Sequence, residues 1–454
     1  MITSPAFADK RYAVLGLARS GAASVRALIE SGALVTAWDE RPEARAIVTP
    51  GATLADPMTI ELSGFDAIIV SPGVPLNTHP IAARARAAGV PVIGDIELFA
   101  RARASLPPHK VVGITGTNGK STTTALIHHI LVTAGVPTTM GGNIGLPILE
   151  QIALPEGGVY VLELSSFQID LTHSLACDIA ILTNITPDHL DRYDGFGGYA
   201  ASKARLFTMQ KAGQAAVIAT DDSPSAALAH ALAQPHGEAL ALDGAFGANI
   251  PMPMLPAGAT IVPVSAQDIV DQSAWPALQG PHNAQNAAVA VAAARLLGIG
   301  EAAIDAALRS YSGLSHRMER VAEIDGVLYV NDSKATNATS AAPALAAYPK
   351  VHWILGGRRK TDELDACAAH YGHVVAAYTI GESAEFFAGL LLDAKIYARE
   401  MGTLEAAVKA AAQVARPGET VLLSPACASY DQYKDYEARG DAFKAAVANV
   451  GSGR

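Results

Sequence analysis

The densest chemistry in this 454-residue chain lies in Val111-Val-Gly-Ile-Thr-Gly-Thr-Asn-Gly-Lys-Ser-Thr122. An apolar strand, a glycine-rich turn and a helix start, in that order, aim backbone N–H groups and a positive helix end at one place, which suits a polyphosphate. Gly113, Thr115, Gly116, Thr117, Asn118 and Gly119 make the loop, and Thr122 continues it into the helix. Lys120 is placed for the β- and γ-phosphates and Ser121 for Mg²⁺. The spacing departs from G-x-x-x-x-G-K-[ST], because Ile114 takes the first glycine position and Gly113 lies one residue early. Gly-Lys-Ser alone also suits an ordinary turn. The strand and helix around it point to nucleotide phosphate.

Two further polar clusters follow apolar runs. Val159–Leu162 reads as a strand delivering Glu163, and Ile179–Leu182 as a strand leading into Thr183-Asn-Ile-Thr-Pro-Asp-His-Leu-Asp-Arg-Tyr193. Ligands of α/β sheets bind beyond the carboxyl ends of strands, so Glu163 becomes a metal-ligand candidate rather than a surface carboxylate. A lone histidine is more often structural, yet His189, as neutral imidazole among hard oxygens, suits a divalent metal beside phosphate. A general acid–base role is an equal alternative for it. By residue type alone Lys203, in Tyr199-Ala-Ala-Ser-Lys203, is an ordinary solvated lysine.

Parallel sheets with crossover helices must hold these groups, since short β-branched runs alternate with alanine-rich helical stretches throughout. The fold class is α/β. Three domains are expected: 1–100, opening on strand Tyr12–Leu15; 101–312, opening on Val111–Ile114; and 313–454, with strands at Val327–Val330, His352–Leu355 and Thr420–Leu423. Arg101–Pro108 reads as a linker, a helix is expected around Ala284–Leu297, and the Pro-, Gly- and Ala-rich stretch 221–279 yields no elements.

The formal charge of −10 opposes a nucleic-acid partner. No apolar run approaches the roughly 18 residues of a membrane span, and no secretory leader is legible, so a cytoplasmic enzyme without a membrane partner, and a monomer, is expected. Cys177, Cys367 and Cys427 lack metal-ligand spacing and read as buried thiols.

T-G-T-N-G-K-S-T, E-L-S-S-F-Q, N-I-T-P-D-H-L-D-R-Y, Y-A-A-S-K, G-G-N-I-G at 141–145 and G-P-H-N-A-Q-N at 280–286 together resemble the Mur ligase family, and its glutamate-adding members in particular. In the third block His316-Arg317, Asn331–Asn337, Gly356–Lys360 and Ser424–Tyr436 fit the same pattern. The resemblance runs in order along nearly the whole chain, leaving only 221–279 unsupported. It implies a Rossmann-like UDP-binding domain, a P-loop ATPase-like central domain and a Rossmann-like C-terminal domain. It implies ATP-dependent joining of D-glutamate to UDP-N-acetylmuramoyl-L-alanine, through an acyl phosphate and with Mg²⁺.

The resemblance also assigns residues. Lys203 would be carbamylated and join Ser121, Glu163 and His189 around the metal. Asn283 and Asn286 would serve the nucleotide base, and Arg317 and Asp332 would contact ATP. Thr336, Lys360, Ser429 and Tyr436, with His189, would surround glutamate. Arg19, Ser20, Asp39, Ser71 and Asn143 would lie along the UDP-sugar.

Two rival classes are weaker. Gly16-Leu-Ala-Arg-Ser-Gly21 with Asp39 mimics a dinucleotide fingerprint, but Ala18 replaces the glycine that admits a pyrophosphate. A nucleotide-gated scaffold leaves Glu163, His189 and Lys203 without a reason to coexist.

Overall fold

The computed structural model describes residues 1–46, 48–234, 255–359 and 362–452. Three sheets follow one another along the chain. The first contains β1 (Arg11–Leu15), β2 (Leu34–Trp38), β3 (Thr53–Leu54), β4 (Ala67–Val70) and β5 (Val92–Ile93), all parallel in the order β3-β2-β1-β4-β5. The order reverses between β1 and β4, so a crevice opens beyond their carboxyl ends.

The second sheet contains β6 (His109–Thr115), β7 (Thr138–Gly142), β8 (Gly158–Glu163), β9 (Ile179–Leu182), β10 (Ala215–Ala219) and β11 (Thr260–Val264). Its order is β11-β10-β9-β6-β8-β7, again all parallel. Here β6 lies between β8 and β9, which brings the loop after β6, Glu163 at the end of β8 and Thr183 after β9 to one edge. Every residue of β8 and β9 is buried, the pattern of strands covered on both faces.

The third sheet contains β12 (Glu319–Ile324), β13 (Val327–Asn331), β14 (Val351–Gly356), β15 (Val374–Ile380), β16 (Ala398–Gly402) and β17 (Thr420–Leu423), ordered β12-β13-β17-β14-β15-β16. Only β12 runs antiparallel, paired with β13. Each sheet falls inside one of the three expected blocks.

By packing, the chain forms two compact units: Met1–Ile269 with Gln285–Leu308, and Val270–Ala284 with Arg309–Arg454. The first two sheets therefore share a unit. The segment expected as a linker is packed rather than free. Helix Asp95–Ala102 runs into it, and Arg103 donates to the Ala176 carbonyl at 2.6 Å and lies 3.5 Å from Asp178. In the unread stretch stand a helix, Ser223–Ala233, and the edge strand β11, whose Pro263 is tolerated at an edge. The three thiols are free and buried, with burial pushing Cys177 and Cys367 up to about 12 and Cys427 up to about 11. Burial of this kind favours the protonated thiol over the nucleophilic thiolate. Among the described residues no helix is long and apolar enough to cross a membrane.

Candidate active site

The phosphate loop turns between β6 and helix Lys120–Thr133 on two glycines with positive φ, Gly116 at 147° and Gly119 at 80°. A Cβ on Gly116 would overlap Thr183 Oγ1, and one on Gly119 would overlap Asn286 Oδ1, so the loop is closely walled. Its shape is fixed from β9. Thr117 N–H donates to the Asn184 carbonyl at 2.9 Å and Asn118 N–H to Asn184 Oδ1 at 2.8 Å. Thr183 Oγ1 in turn donates to the Asn118 carbonyl at 2.6 Å. Lys120 Nζ curls onto the carbonyls of Gly116 and Thr117, at 2.9 and 2.7 Å.

Ser121 Oγ donates to Glu163 Oε2 at 2.5 Å, and Asn143 Nδ2 donates to Glu163 Oε1 at 2.8 Å. Both oxygens of this buried carboxylate are thereby aimed, one toward the loop and one toward Asn143. A hydroxyl and a carboxylate side by side beneath a phosphate loop are the hard donors Mg²⁺ prefers. Among the described residues no three His, Cys, Asp or Glu side chains converge as a cage. The donor set thus fits a metal that completes its shell with phosphate oxygens and water, with Ser121 and Glu163 as the residues that would hold it.

Lys203 is not the solvated lysine its residue type suggests. It is 1% exposed, its Nζ donates to the Gly116 carbonyl at 2.8 Å, and it stands 4.4 Å from the centre of the Tyr199 ring. Burial first, then the charge of Lys120, hold its pKa well below the usual lysine value. Lys120 and Lys203 meet at one carbonyl, Gly116 O. Tyr199 links the group, with its hydroxyl 3.2 Å from Thr117 Oγ1.

His189 sits differently. Its φ is 51°, its side chain is half-exposed, its ring packs edge-on against Phe167 at 5.0 Å, and Nε2 lies 3.5 Å from Asp188. The structure joins Ser121, Glu163 and Asn143 directly and sets Lys203 on the loop, while His189 stands on the more open side.

Four of the UDP-sugar candidates lie past strand ends of the first sheet, Arg19 and Ser20 after β1, Asp39 after β2 and Ser71 after β4, while Asn143 follows β7 of the second. Gly16, with φ 88°, and Gly21 pack so closely that a Cβ on Gly21 would overlap the Gly16 carbonyl. Ser71 Oγ donates to that carbonyl at 2.8 Å. Asp39 accepts from Leu17 N–H at 2.7 Å and from the Arg41 guanidinium at 3.0 and 3.1 Å, and the Arg41 bond chiefly lowers its pKa to about 2. Arg19 donates to the Gly145 carbonyl at 2.5 Å, and Ser20 shares its helix's first turn.

Asn286, in the first unit, accepts from Thr123 Oγ1 at 3.3 Å, while Asn283, in the second, donates to the Gln279 carbonyl at 3.1 Å. Also in the second unit, Asp332 follows β13 and accepts from Ser424 Oγ at 2.8 Å and Met318 N–H at 3.2 Å. Burial raises its pKa to about 7, against the pull of these bonds and of Arg317. Ser429 is buried, Thr336 and Tyr436 are half-buried, and Lys334 Nζ lies 3.7 Å from the Tyr436 ring centre. Lys360 lies outside the described residues.

Four residues that sequence reasoning left without a role brace these segments, each within its own unit: Asn184, Tyr199 and Arg41 in the first and Arg439 in the second. Buried Arg439 donates to the carbonyls of Ser333 and Cys427, at 2.9 and 3.0 Å. Asn184 was findable by the strand-end rule that singled out Glu163. Arg41 lies two residues from Asp39, its partner, while Tyr199 and Arg439 declare themselves only through partners distant in sequence.

Sheets with these switch points, and a glycine loop and helix start beside Glu163, define an α/β protein with a phosphate-loop type of site. Residues 10–94 match the Mur ligase MurD-like, N-terminal domain, 114–294 the Mur ligase middle domain, and 316–427 the Mur ligase, glutamate ligase domain. The chain is 60% identical over 447 residues to the UDP-N-acetylmuramoylalanine--D-glutamate ligase of Novosphingobium aromaticivorans, covering 98% of this chain and 96% of the relative. It is likewise 60% identical over 460 residues to the ligase of the same name from Sphingopyxis alaskensis, covering all of both. The UDP-N-acetylmuramate-alanine ligase MurC of Thermotoga maritima shares the fold, with a TM-score of 0.57 at 17% identity over 98% of this chain and all of that one. The chain belongs to the Mur ligase family, whose members use ATP and Mg²⁺.

Proposed function

We propose that this ligase joins D-glutamate to UDP-N-acetylmuramoyl-L-alanine at the expense of ATP, in the cytoplasm and as a monomer. The observation that carries the reading is the convergence of Lys120 and Lys203 on the Gly116 carbonyl, on the same loop as the Ser121–Glu163 pair. The relatives' shared name supports the substrates. We place the sugar nucleotide on domain 1–100, ATP on 101–312 and glutamate on 313–454.

A carboxylate is a poor electrophile, so the alanyl carboxylate first attacks the γ-phosphorus and ADP leaves, giving an acyl phosphate. The loop amides hold the phosphates, and Lys120 swings from its own loop's carbonyls to offset charge on the transferring group. Mg²⁺ supplies further charge neutralisation when bound. Glutamate's amine then attacks the acyl carbon, and the tetrahedral intermediate expels phosphate and forms the amide. His189, half-exposed and backed by Phe167, stands where it can orient that amine or take its proton. Gly113, Thr115, Thr122, Asn283, Asn286, Arg317 and Asp332 complete the ATP contacts. Thr336, Lys360, Ser429 and Tyr436 receive glutamate, and Arg19, Ser20, Asp39, Ser71 and Asn143 receive the sugar nucleotide.

Lys203 fits a carbamate. Its lowered pKa favours the neutral amine, whose lone pair adds to CO₂ with loss of one proton, giving N–COO⁻. That anion supplies a hard oxygen in place of a cation and suits the metal group, where a bare lysine does not.

Phosphate release, measured with ATP, UDP-N-acetylmuramoyl-L-alanine and a panel of D- and L-amino acids, tests the reading. D-glutamate should support turnover. Preference for L-glutamate, lysine or meso-diaminopimelate would overturn it.

A further inference from the structure

A cavity of about 680 Å³ opens in the first unit between the segment around Pro72–Arg86 and the helices Ser166–Asp170 and Gly195–Thr208. That size holds a small organic ligand. Neither the phosphate loop nor Glu163, Asn143 or Lys203 lines it. One wall is aromatic: the rings of Phe167 and Tyr193 are parallel, 5.9 Å apart with an 11° interplanar angle, and Leu171 also lines it.

Its charges are unbalanced. Three guanidinium groups, those of Arg86, Arg192 and Arg205, border it against two carboxylates, those of Asp170 and Asp194. Asp170 is already committed, accepting from Tyr193 Oη at 2.9 Å and Ser202 Oγ at 2.7 Å with Arg205 at 3.7 Å. Arg192 gives one bond to the Val74 carbonyl, at 3.1 Å, and otherwise lies over the Phe167 ring at 4.2 Å. Exposed Arg86 has no hydrogen bond or ion pair for its guanidinium among the described residues. A positive wall with an open arginine, on a chain of net charge −10, selects an anion.

We propose that this cavity is an effector site for a small organic anion with a flat apolar body, an aryl carboxylate or an aryl phosphate. The anionic group meets Arg86 and the ring lies along Phe167 and Tyr193. Its occupancy is felt at the chemistry through Phe167, which carries Arg192 on its face and His189 at its edge.

The test titrates the full chain calorimetrically with benzoate and with phenyl phosphate, alone and with saturating ATP or UDP-N-acetylmuramoyl-L-alanine, and repeats it with Arg86→Ala and Arg86→Glu. Expected are saturable binding unaffected by either substrate, and affinity weakened about tenfold or more in Arg86→Glu, with Arg86→Ala between. Turnover without probe should be unchanged in both variants, and probe should lower kcat without raising KM for ATP. Whichever probe binds tighter tells carboxylate from phosphate. Displacement by a substrate would place the probe in the substrate site and overturn the proposal. So would equal affinity in Arg86→Glu, absence of saturation by about 10 mM, or binding that leaves kcat unaltered.

Discussion

Two turns in this molecule share one plan, a parallel strand, a tight glycine turn and a helix, at Leu15–Arg19 and at Thr115–Lys120. They are braced by different means. After β1 the brace is charged and local to its sheet: Asp39, following the neighbouring strand, takes Leu17 N–H and the Arg41 guanidinium. After β6 the brace is a neutral amide, Asn184, and the amines of Lys120 and Lys203 are held on backbone carbonyls. A lysine on neutral carbonyls leaves them cheaply when phosphate arrives, whereas Asp39 cannot leave Arg41 without losing an ion pair. On the proposed function the first turn is a fixed cradle and the second exchanges partners during the reaction.

Lys120→Ala should abolish turnover, by about 10³-fold or more, while melting and far-UV dichroism stay as in the parent chain. Without the two bonds that Lys120 Nζ gives to loop carbonyls, the loop keeps those it makes with Asn184 and Thr183. A folded variant with near-normal phosphate release would mean that the second turn is only another cradle.

Lys203→Ala should lose about 10²-fold in turnover, and a short carboxylic acid such as propionate should restore part of it by filling the vacated space beside Gly116. Rescue is what a merely structural lysine would not give. Full activity without added acid would remove the carbamate.

Strands were the legible part of this chain. Ile179–Leu182 and Thr420–Leu423 are found at the residues the pattern predicts, and the other expected strands are longer by only one to three residues, because buried parallel strands are continuous apolar runs that need no tertiary information. The phosphate loop and Glu163 were legible for the same reason, since a strand's end locates them. Stretch 221–279 was not, as β11 is a half-exposed edge strand with a proline inside it and lacks either periodicity. Nor could composition place Lys203, whose burial depends on Tyr199 and on a loop 87 residues away. The membership of Val270–Ala284 in the second unit has no local signal at all.

A matched pair of glycine substitutions separates the turns. Gly119→Ala puts a Cβ into Asn286 at φ 80°, and should raise KM for ATP about tenfold with little change for the sugar nucleotide. Gly21→Ala drives a Cβ into the Gly16 carbonyl and should do the reverse, with melting followed to correct for any loss of fold. If both variants act on the same substrate, the two turns do not hold different ligands.

Asp39→Asn has the smallest consequence and the most particular pH signature. The asparagine keeps an oxygen for Leu17 N–H but gives up the charge that Arg41 meets. Because Asp39 titrates at about 2 in the folded chain, below its usual 3.8, the unfolded chain binds more protons between those values. Its stabilisation is therefore complete above about pH 4 and disappears as the pH falls through 2. The exposed position of Arg41 keeps this to roughly 1 kcal/mol. Denaturant melts of the parent and of Asp39→Asn should thus differ at pH 6 and converge near pH 2, with kcat unchanged and KM for the sugar nucleotide raised a few-fold as Arg41 loosens. Curves that stay parallel down to pH 2 would show that the brace is not ionic. A loss of kcat on the scale of Lys120→Ala would show that the first turn, too, changes partners as the reaction proceeds.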